Sequence, residues 1–169
     1  LKKGYSVSGS DLVKNNETNK LEKLGAIIFN SQIRQNIEFI TSKFNNKLIN
    51  FVVSTAIKPE NEELMFCREK NLLVKHRSDI LAILMQSYTS LAVAGSHGKT
   101  STSTFLSTML ELCTHNSSSI TGGIIPIYNS NCHLENTKFL VAEVDESDGT
   151  IVKYKSDIGI INNIDFDHC

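Results

Sequence analysis

At 169 residues and 40% hydrophobic content, the chain is long enough to bury a sizeable core and falls between one and two average domains. Its 17 basic and 18 acidic residues are interspersed and leave a net charge of -1, which gives no electrostatic reason to expect nucleic acid or a membrane surface as partner. The longest apolar runs are strand-sized, far short of the roughly 20 residues a membrane span needs, and no signal segment is visible. Cys67, Cys113, Cys132 and Cys169 are scattered without CxxC spacing, which argues against a zinc site or a disulfide framework and makes the cytoplasm the natural compartment. The adjacent pairs Cys132-His133 and His168-Cys169 do not change this, since sequence neighbours rarely share one ion in a closed tetrahedral site.

Leu1-Lys2-Lys3-Gly4 reads as the last turn of a helix with its terminal glycine, and the chain stops at Asp167-His168-Cys169 straight after a strand. Both ends read as cut, so a fragment of a longer protein is expected. Short β-rich runs stand at 5–8, 26–29, 48–54 and 72–74, separated by helical patterns at 17–24, 35–44 and 60–70. A further helix is expected at 78–86 and further strands at 91–94, 118–120, 139–144 and 158–164. The helix expected at 100–113 carries Phe105, Met109, Leu112 and Cys113 on helical spacing. Residues 116–119 and 129–131 read as loop material, although the first of these overlaps the strand expected from 118.

Alternation of this kind places the chain in the α/β class, with a mostly parallel sheet covered by helices. The polar stretch from Ser87 to Ser90 suggests a boundary. Residues 1–88 are expected to form a Rossmann-like domain whose first strand is missing, and 89–169 the first part of a P-loop-type, parallel-sheet ATP-binding domain. In the first domain, Tyr5-Ser6-Val7-Ser8-Gly9-Ser10-Asp11 is a strand followed by a carboxylate, where a Rossmann unit often binds ribose. Asp11 has an equally simple reading as a loop or capping residue.

The second domain carries the chemistry. Leu91-Ala92-Val93-Ala94 leads through Gly95-Ser96-His97-Gly98-Lys99-Thr100-Ser101 into a helix start. Backbone N–H groups of such a turn, with the positive end of the helix, face an anion, while a lysine adds a point charge and a hydroxyl reaches Mg²⁺. The match is incomplete, because GxxxxGK[ST] requires glycine where Val93 stands. A Gly-x-x-Gly between strand and helix also serves as a plain tight turn.

Two later features accompany the loop. Phe139-Leu140-Val141-Ala142-Glu143 is an apolar strand ending in a carboxylate and leads into Val144-Asp145-Glu146-Ser147-Asp148-Gly149. The strand expected from Ile158 ends in Asp165-Phe166-Asp167-His168. Ligands of open α/β sheets sit beyond the carboxyl ends of the strands, so these segments and the glycine loop could converge on one MgATP. Glu143 is the natural Mg²⁺ ligand; the acidic run at 145–148 also reads as a solvated loop. Imidazole is a poor Mg²⁺ ligand, so His168 is either structural or set against phosphate or a second metal. His97 lies inside the loop, with a role in its shape more than its charge, whereas His76, His115 and His133 read as loop or surface residues.

The three segments Gly95 to Thr100, Ala142 to Gly149 and Asn163 to His168 together resemble the Mur ligase family, ATP-dependent amide-forming enzymes of peptidoglycan precursor synthesis. The histidine at position 97 resembles the branch that joins L-alanine to UDP-N-acetylmuramate, and Ser8 to Leu12 and Ser54 to Ile57 resemble its N-terminal domain. The resemblance implies ATP and Mg²⁺ as cofactors. It implies Lys99, Glu143 and His168 as catalytic residues, with Lys99 on the ATP phosphates, Thr100 and Glu143 on Mg²⁺, and His168 at a second metal site. Gly122, Gly123 and the loop of Asp145, Glu146, Ser147 and Asp148 would lie near the sugar nucleotide, and Ser10, Asp11 and Ser54 would hold its UDP end. Ser96 replaces a usual threonine, and Asp165-Phe166 replaces a usual Glu-Ala.

The implied reaction runs through an acyl phosphate, and residues 1–169 alone are not expected to catalyse it. The rival readings are the sister ligase that attaches a recycled peptide to the same sugar nucleotide, a P-loop kinase or NTPase, and a non-catalytic nucleotide-binding module. Ser147 argues mildly against the sister ligase and Val93 against the general NTPase.

Overall fold

Parallel strand pairs joined by helices build the first of the two units, Leu1–His76 and Arg77–Cys169, into which the computed structural model divides. Residues 1, 3–45, 48–145 and 149–165 are described. β1 (Ser8–Ser10) pairs with β2 (Ile27–Phe29) across α1 (Asn16–Lys23), and α2 (Arg34–Lys43) leads on to β3 (Phe51–Val53). β3 pairs with β4 (Val74–His76) across α3 (Glu62–Glu69). The start of α1 is a reciprocal cap: the Asn15 side chain accepts from the N–H groups of Glu17 and Thr18, while Thr18 Oγ1 accepts from the Asn15 N–H.

β1 starts three residues later than the strand expected at 5–8 and ends two later, sharing only Ser8 with it. Tyr5 and Val7 are exposed, and Ser-Gly-Ser is chosen because its backbone falls opposite Ile27–Phe29. Hydropathy does not report that pairing. Asn36, on α2, is buried, and its amide donates to the Ser31 carbonyl and to Glu63 Oε1 at 2.7 Å each. Glu63 Oε2 in turn accepts from Ser10 Oγ at 2.5 Å. One carboxylate on α3 thus ties the end of β1 to α2, which satisfies a buried amide at the same time.

The second unit opens with α4 (Arg77–Met85) and β5 (Thr89–Ala94), followed by α5 (Lys99–Leu112) and β6 (Ser117–Ile125). β7 (Ser130–His133), β8 (Phe139–Glu143) and β9 (Ile158–Ile161) complete a five-stranded sheet of order β7-β6-β8-β5-β9. All neighbours are parallel except β7 on β6. Met85 of α4 packs with Ala92, Ala94, Leu140, Ala142 and Val144 as the core cluster. Adjacent strand residues face opposite sides, so Ser119, level with Val141, faces the other way and meets α5.

That second face is lined with serines: Ser103 and Ser107 of α5 and Ser117 and Ser119 of β6 are all 0% exposed, as is Ser118, which lies level with Leu140 and faces the opposite side. Small side chains let the helix lie close to the strand, and the hydroxyls bond locally. Ser119 Oγ donates to Ser107 Oγ at 2.9 Å, Ser107 Oγ donates to the Ser103 carbonyl at 2.8 Å, and Ser118 Oγ accepts from the Glu135 N–H at 3.1 Å. Residues 116–119, which read as a loop, are therefore largely buried strand. Residues 130–131 open the edge strand β7, also unforeseen, and His133 on it stacks on Tyr128 and pairs with Glu135. Among the described residues no helix is long and apolar enough to cross a membrane.

Two measurements check this packing. Ser103 Oγ is buried without a hydrogen-bond partner, so Ser103→Ala should hold or raise the urea midpoint, whereas Ser119→Ala should lower stability by about 1 kcal/mol. Cys67 is buried, and burial, followed by the nearby Glu63 carboxylate, raises its pKa, while Cys113 and Cys132 are exposed. Thiol labelling at mildly alkaline pH should therefore reach Cys113 and Cys132 long before Cys67, because the thiolate is the reactive form.

Candidate functional site

β5 is the strand between β8 and β9, with Val93 level with Glu143 on one side and Ile160 on the other. Val93 is 0% exposed. The position that lacks the P-loop glycine is thus a packed strand residue, and the loop begins at Gly95. Gly95 has φ +130° and Gly98 φ +79°, conformations that side chains resist. A Cβ on Gly95 would stand 3.1 Å from the Asn163 backbone, and one on Gly98 3.1 Å from Asn162 Nδ2. The glycines let the loop lie directly on the end of β9.

α5 begins after Gly98 without a side-chain cap, and the N-terminus of a helix is the end that favours an anion. Lys99 Nζ donates to the Gly95 carbonyl at 2.7 Å and so lies across its own loop. The backbone of His97 is held by β9: its N–H donates to Asn163 Oδ1 at 2.9 Å, and its carbonyl accepts from Asn162 Nδ2 and Asn163 Nδ2 at 3.2 Å each. Ser96 Oγ accepts from the Asp165 N–H at 3.0 Å. Ser101 follows in the first turn of α5 and is exposed.

Behind the loop stands an oxygen cluster. Thr100 Oγ1 lies 3.1 and 3.0 Å from the two Glu143 carboxylate oxygens, and the Gly122 N–H donates to Glu143 Oε2 at 2.7 Å. A hydroxyl and a carboxylate at this spacing are the hard oxygen donors that Mg²⁺ takes, and the cation keeps several waters and phosphate oxygens as its remaining ligands. The donor set fits that ion. Gly122 and Gly123, expected near a sugar nucleotide, touch this pair directly. A Cβ on Gly122 would come within 3.0 Å of Glu143 Oε1, and one on Gly123 within 2.7 Å of Thr100 Cγ2.

Other expected site residues have partners of their own. Asp145 Oδ2 accepts from Arg77 Nη2 at 3.1 Å. Glu146, Ser147, Asp148 and His168 lie outside the described residues. In the first unit, Ser10 bonds Glu63, and Asp11 closes a short turn by accepting from the Val13 N–H at 2.9 Å. Ser54 follows β3, and its carbonyl accepts from the Ile57 N–H. Beyond the carboxyl ends of β1, β2 and β3 lies a groove of about 370 Å³ whose lining includes Leu12, Gln32, Ala56, Ile57, Lys58 and Asn61, the edge at which doubly wound sheets bind ligands.

Reading the sequence for chemistry gives no role to the side chains of Asn162 and Asn163, which grip the loop, although Asn163 opens the third signature segment, nor to the Gly122 N–H, which donates to Glu143. Two asparagines in succession at the end of the strand expected from Ile158 were the available signal, since each side-chain amide can both donate to and accept from a neighbouring backbone; β9 itself is an edge strand with Ile158 and Ile161 exposed.

Comparison with known proteins extends this geometry. Residues 1–89 match the Mur ligase family, catalytic domain, and 93–169 match the Mur ligase middle domain. The chain is 73% identical over its full length to the UDP-N-acetylmuramate--L-alanine ligase of Prochlorococcus marinus subsp. pastoris, covering 36% of that protein. It is 49% identical over 98% of its length to the enzyme of the same name from another Prochlorococcus marinus strain, covering 35% of it. The chain thus spans about a third of the length of these relatives. Its fold resembles the UDP-N-acetylmuramate:L-alanyl-gamma-D-glutamyl-meso-diaminopimelate ligase from Neisseria meningitides, with TM-score 0.89 at 22% identity over 99% of this chain and 55% of that one. It also resembles the UDP-N-acetylmuramate-alanine ligase from Thermotoga maritima, with TM-score 0.84 at 23% identity over 99% of this chain and 37% of that one.

The contact of Gly123 with Thr100 yields a direct test. Gly123→Ala should displace the Thr100 side chain and weaken binding of a magnesium nucleotide to the parent protein by about tenfold or more, with far-ultraviolet circular dichroism unchanged. Titration calorimetry checks it.

Proposed function

The chain belongs to the Mur ligase family, and on that premise we propose that its parent protein is an ATP-dependent ligase joining L-alanine to UDP-N-acetylmuramate in peptidoglycan precursor synthesis. The observation that carries the reading is the Thr100 hydroxyl set against both oxygens of Glu143 directly behind the Lys99 loop. The choice of L-alanine over a recycled peptide rests on 73% identity to a UDP-N-acetylmuramate--L-alanine ligase.

In this reading residues 1–88 hold the UDP end of the substrate, through Ser10, Asp11 and Ser54 at the edge where the groove opens, and 89–169 begin the ATP-binding domain. Gly122, Gly123 and the loop from Asp145 to Asp148 face the sugar nucleotide. The loop from Gly95 to Ser101 binds the ATP phosphates. Thr100 and Glu143 hold Mg²⁺, which supplies charge neutralisation at the phosphate oxygens, and His168 serves a second metal site.

The substrate's lactyl carboxylate attacks the γ-phosphorus of ATP and ADP leaves. Lys99 stabilises the charge spread over the transferring phosphoryl group. A carboxylate is a poor acyl donor until its oxygen belongs to a leaving phosphate, which is what the resulting acyl phosphate provides. The amine of L-alanine then attacks the acyl carbon, inorganic phosphate departs, and an amide remains. Such work belongs to the cytoplasm, where ATP and sugar nucleotides are available.

The test is phosphate release from MgATP by the full-length parent, with UDP-N-acetylmuramate and L-alanine each present and each omitted. Release that requires both supports the proposal. Release without the sugar nucleotide would point to a general NTPase, and release only with a peptide in place of alanine to the recycling ligase. Lys99→Ala and Glu143→Ala should each cost several kcal/mol of transition-state stabilisation, about 10²-fold or more in rate; intact function in both would favour a non-catalytic binding module. Residues 1–169 alone should show no alanine-dependent turnover.

A further inference from the structure

The loop that is read as the nucleotide phosphate site does not hold its own shape. Among its backbone groups, both polar atoms of His97 are committed to the side chain of Asn163. The His97 N–H donates to Oδ1 at 2.9 Å, and the His97 carbonyl accepts from Nδ2 at 3.2 Å. A side-chain amide that donates and accepts at one residue fixes the direction of that residue's backbone as a neighbouring strand would. Asn162 adds a second donor to the same carbonyl at 3.2 Å, and its Oδ1 accepts from Thr102 Oγ1 at 3.2 Å, which carries the restraint into the first turn of α5.

The position of the two asparagines is itself fixed. The Asn162 N–H donates to the Ala94 carbonyl at 3.1 Å as the last rung between β9 and β5. Gly95, at φ +130°, then admits the Asn163 backbone to 3.1 Å from where a Cβ would stand, closer than most side chains accept.

The consequence for an anion follows from peptide geometry. The carbonyl of His97 and the N–H of Gly98 belong to one trans peptide and point in opposite directions. With the carbonyl held toward β9 by two donors, the Gly98 N–H is directed away from β9, at the start of α5, the positive end of the helix. We propose that Asn163, assisted by Asn162, is a positioning residue that sets the His97–Gly98 peptide so that its N–H faces the nucleotide phosphates. This rests on the proposed reading of Gly95 to Thr100 as the phosphate loop. Asn163 acts through the loop and touches neither acyl donor nor amine, so its removal should be felt by the nucleotide alone.

The experiment uses the full-length parent and its Asn163→Asp variant, which keeps size and the Oδ1 acceptor but loses the Nδ2 donor and sets a carboxylate oxygen against the His97 carbonyl. MgADP affinity by calorimetry should fall by about tenfold to a hundredfold, and KM for ATP should rise in proportion. KM for UDP-N-acetylmuramate and L-alanine should change by less than about twofold. A general loosening of the fold would instead move all three KM values and the melting temperature together, and that outcome would overturn the proposal. Asn162→Ala, which removes one of two donors, should give a smaller loss of MgADP affinity in the same direction and serves where the Asp variant does not fold. Unaltered MgADP affinity in the variants, with the unsubstituted protein binding normally, would sink this proposal and leave the phosphate-loop reading standing. No MgADP binding by the unsubstituted protein would sink both.

Discussion

A backbone loop can face several peptide N–H groups toward one anion only if the carbonyls of those same peptides face outward, where each needs a donor. In the second unit carbonyls of the glycine loop have such donors. Lys99 serves the Gly95 carbonyl, and the Asn162 and Asn163 amides serve that of His97. Those amides can be there because β9 lies directly against β5, and because Gly95 and Gly98 leave no side chain between loop and strand. On the other side of β5, β8 brings Glu143 level with Val93 and so within reach of Thr100. The order β8-β5-β9 is therefore what sets Asn162 and Asn163 on one side of the glycine loop and Glu143 on the other.

The polar chemistry is shared unevenly between the two units. In the second, buried hydroxyls let α5 settle close on β6, and the oxygen cluster lies at the ends of the elements they bring together. In the first, Glu63 reaches from α3 to both Ser10 and Asn36, so one carboxylate ties three elements together. Both oxygens of this half-buried carboxylate are supplied with donors, Ser10 Oγ and the Asn36 amide.

Much of this was legible from local pattern. The α/β class, the helices and the residues Lys99, Thr100 and Glu143 follow from short-range signals: periodicity, a glycine loop before a helix, and a carboxylate at the end of an apolar strand. What escaped depends on which strands become neighbours. The strand at Ser8–Ser10 is fixed by backbone pairing with Ile27–Phe29 and shows no hydrophobic alternation. Residues 116–119 read as a loop by composition while a strand is expected from Ser118; the strand reading holds, starting at Ser117, because serine is small enough for a helix to cover closely. Asn162 and Asn163 acquire a role only once β9 is known to flank β5, and the Gly122 N–H only once β6 is known to flank β8.

α4 carries a consequence for how such a chain can be divided or recombined. The sequence families change between residues 89 and 93, so α4 is inherited with the first of them. The packing divides between His76 and Arg77, and Met85 of α4 is 0% exposed within the core beside β5 and β8. Lys153 Nζ reaches back to Asp79 Oδ1 at 2.7 Å, and Arg77 to Asp145, as further ties. A chimaera joined at the family border would ask an α4 from one ancestor to fit a sheet from another. One joined ahead of Arg77 would move the helix together with the surface it evolved to cover.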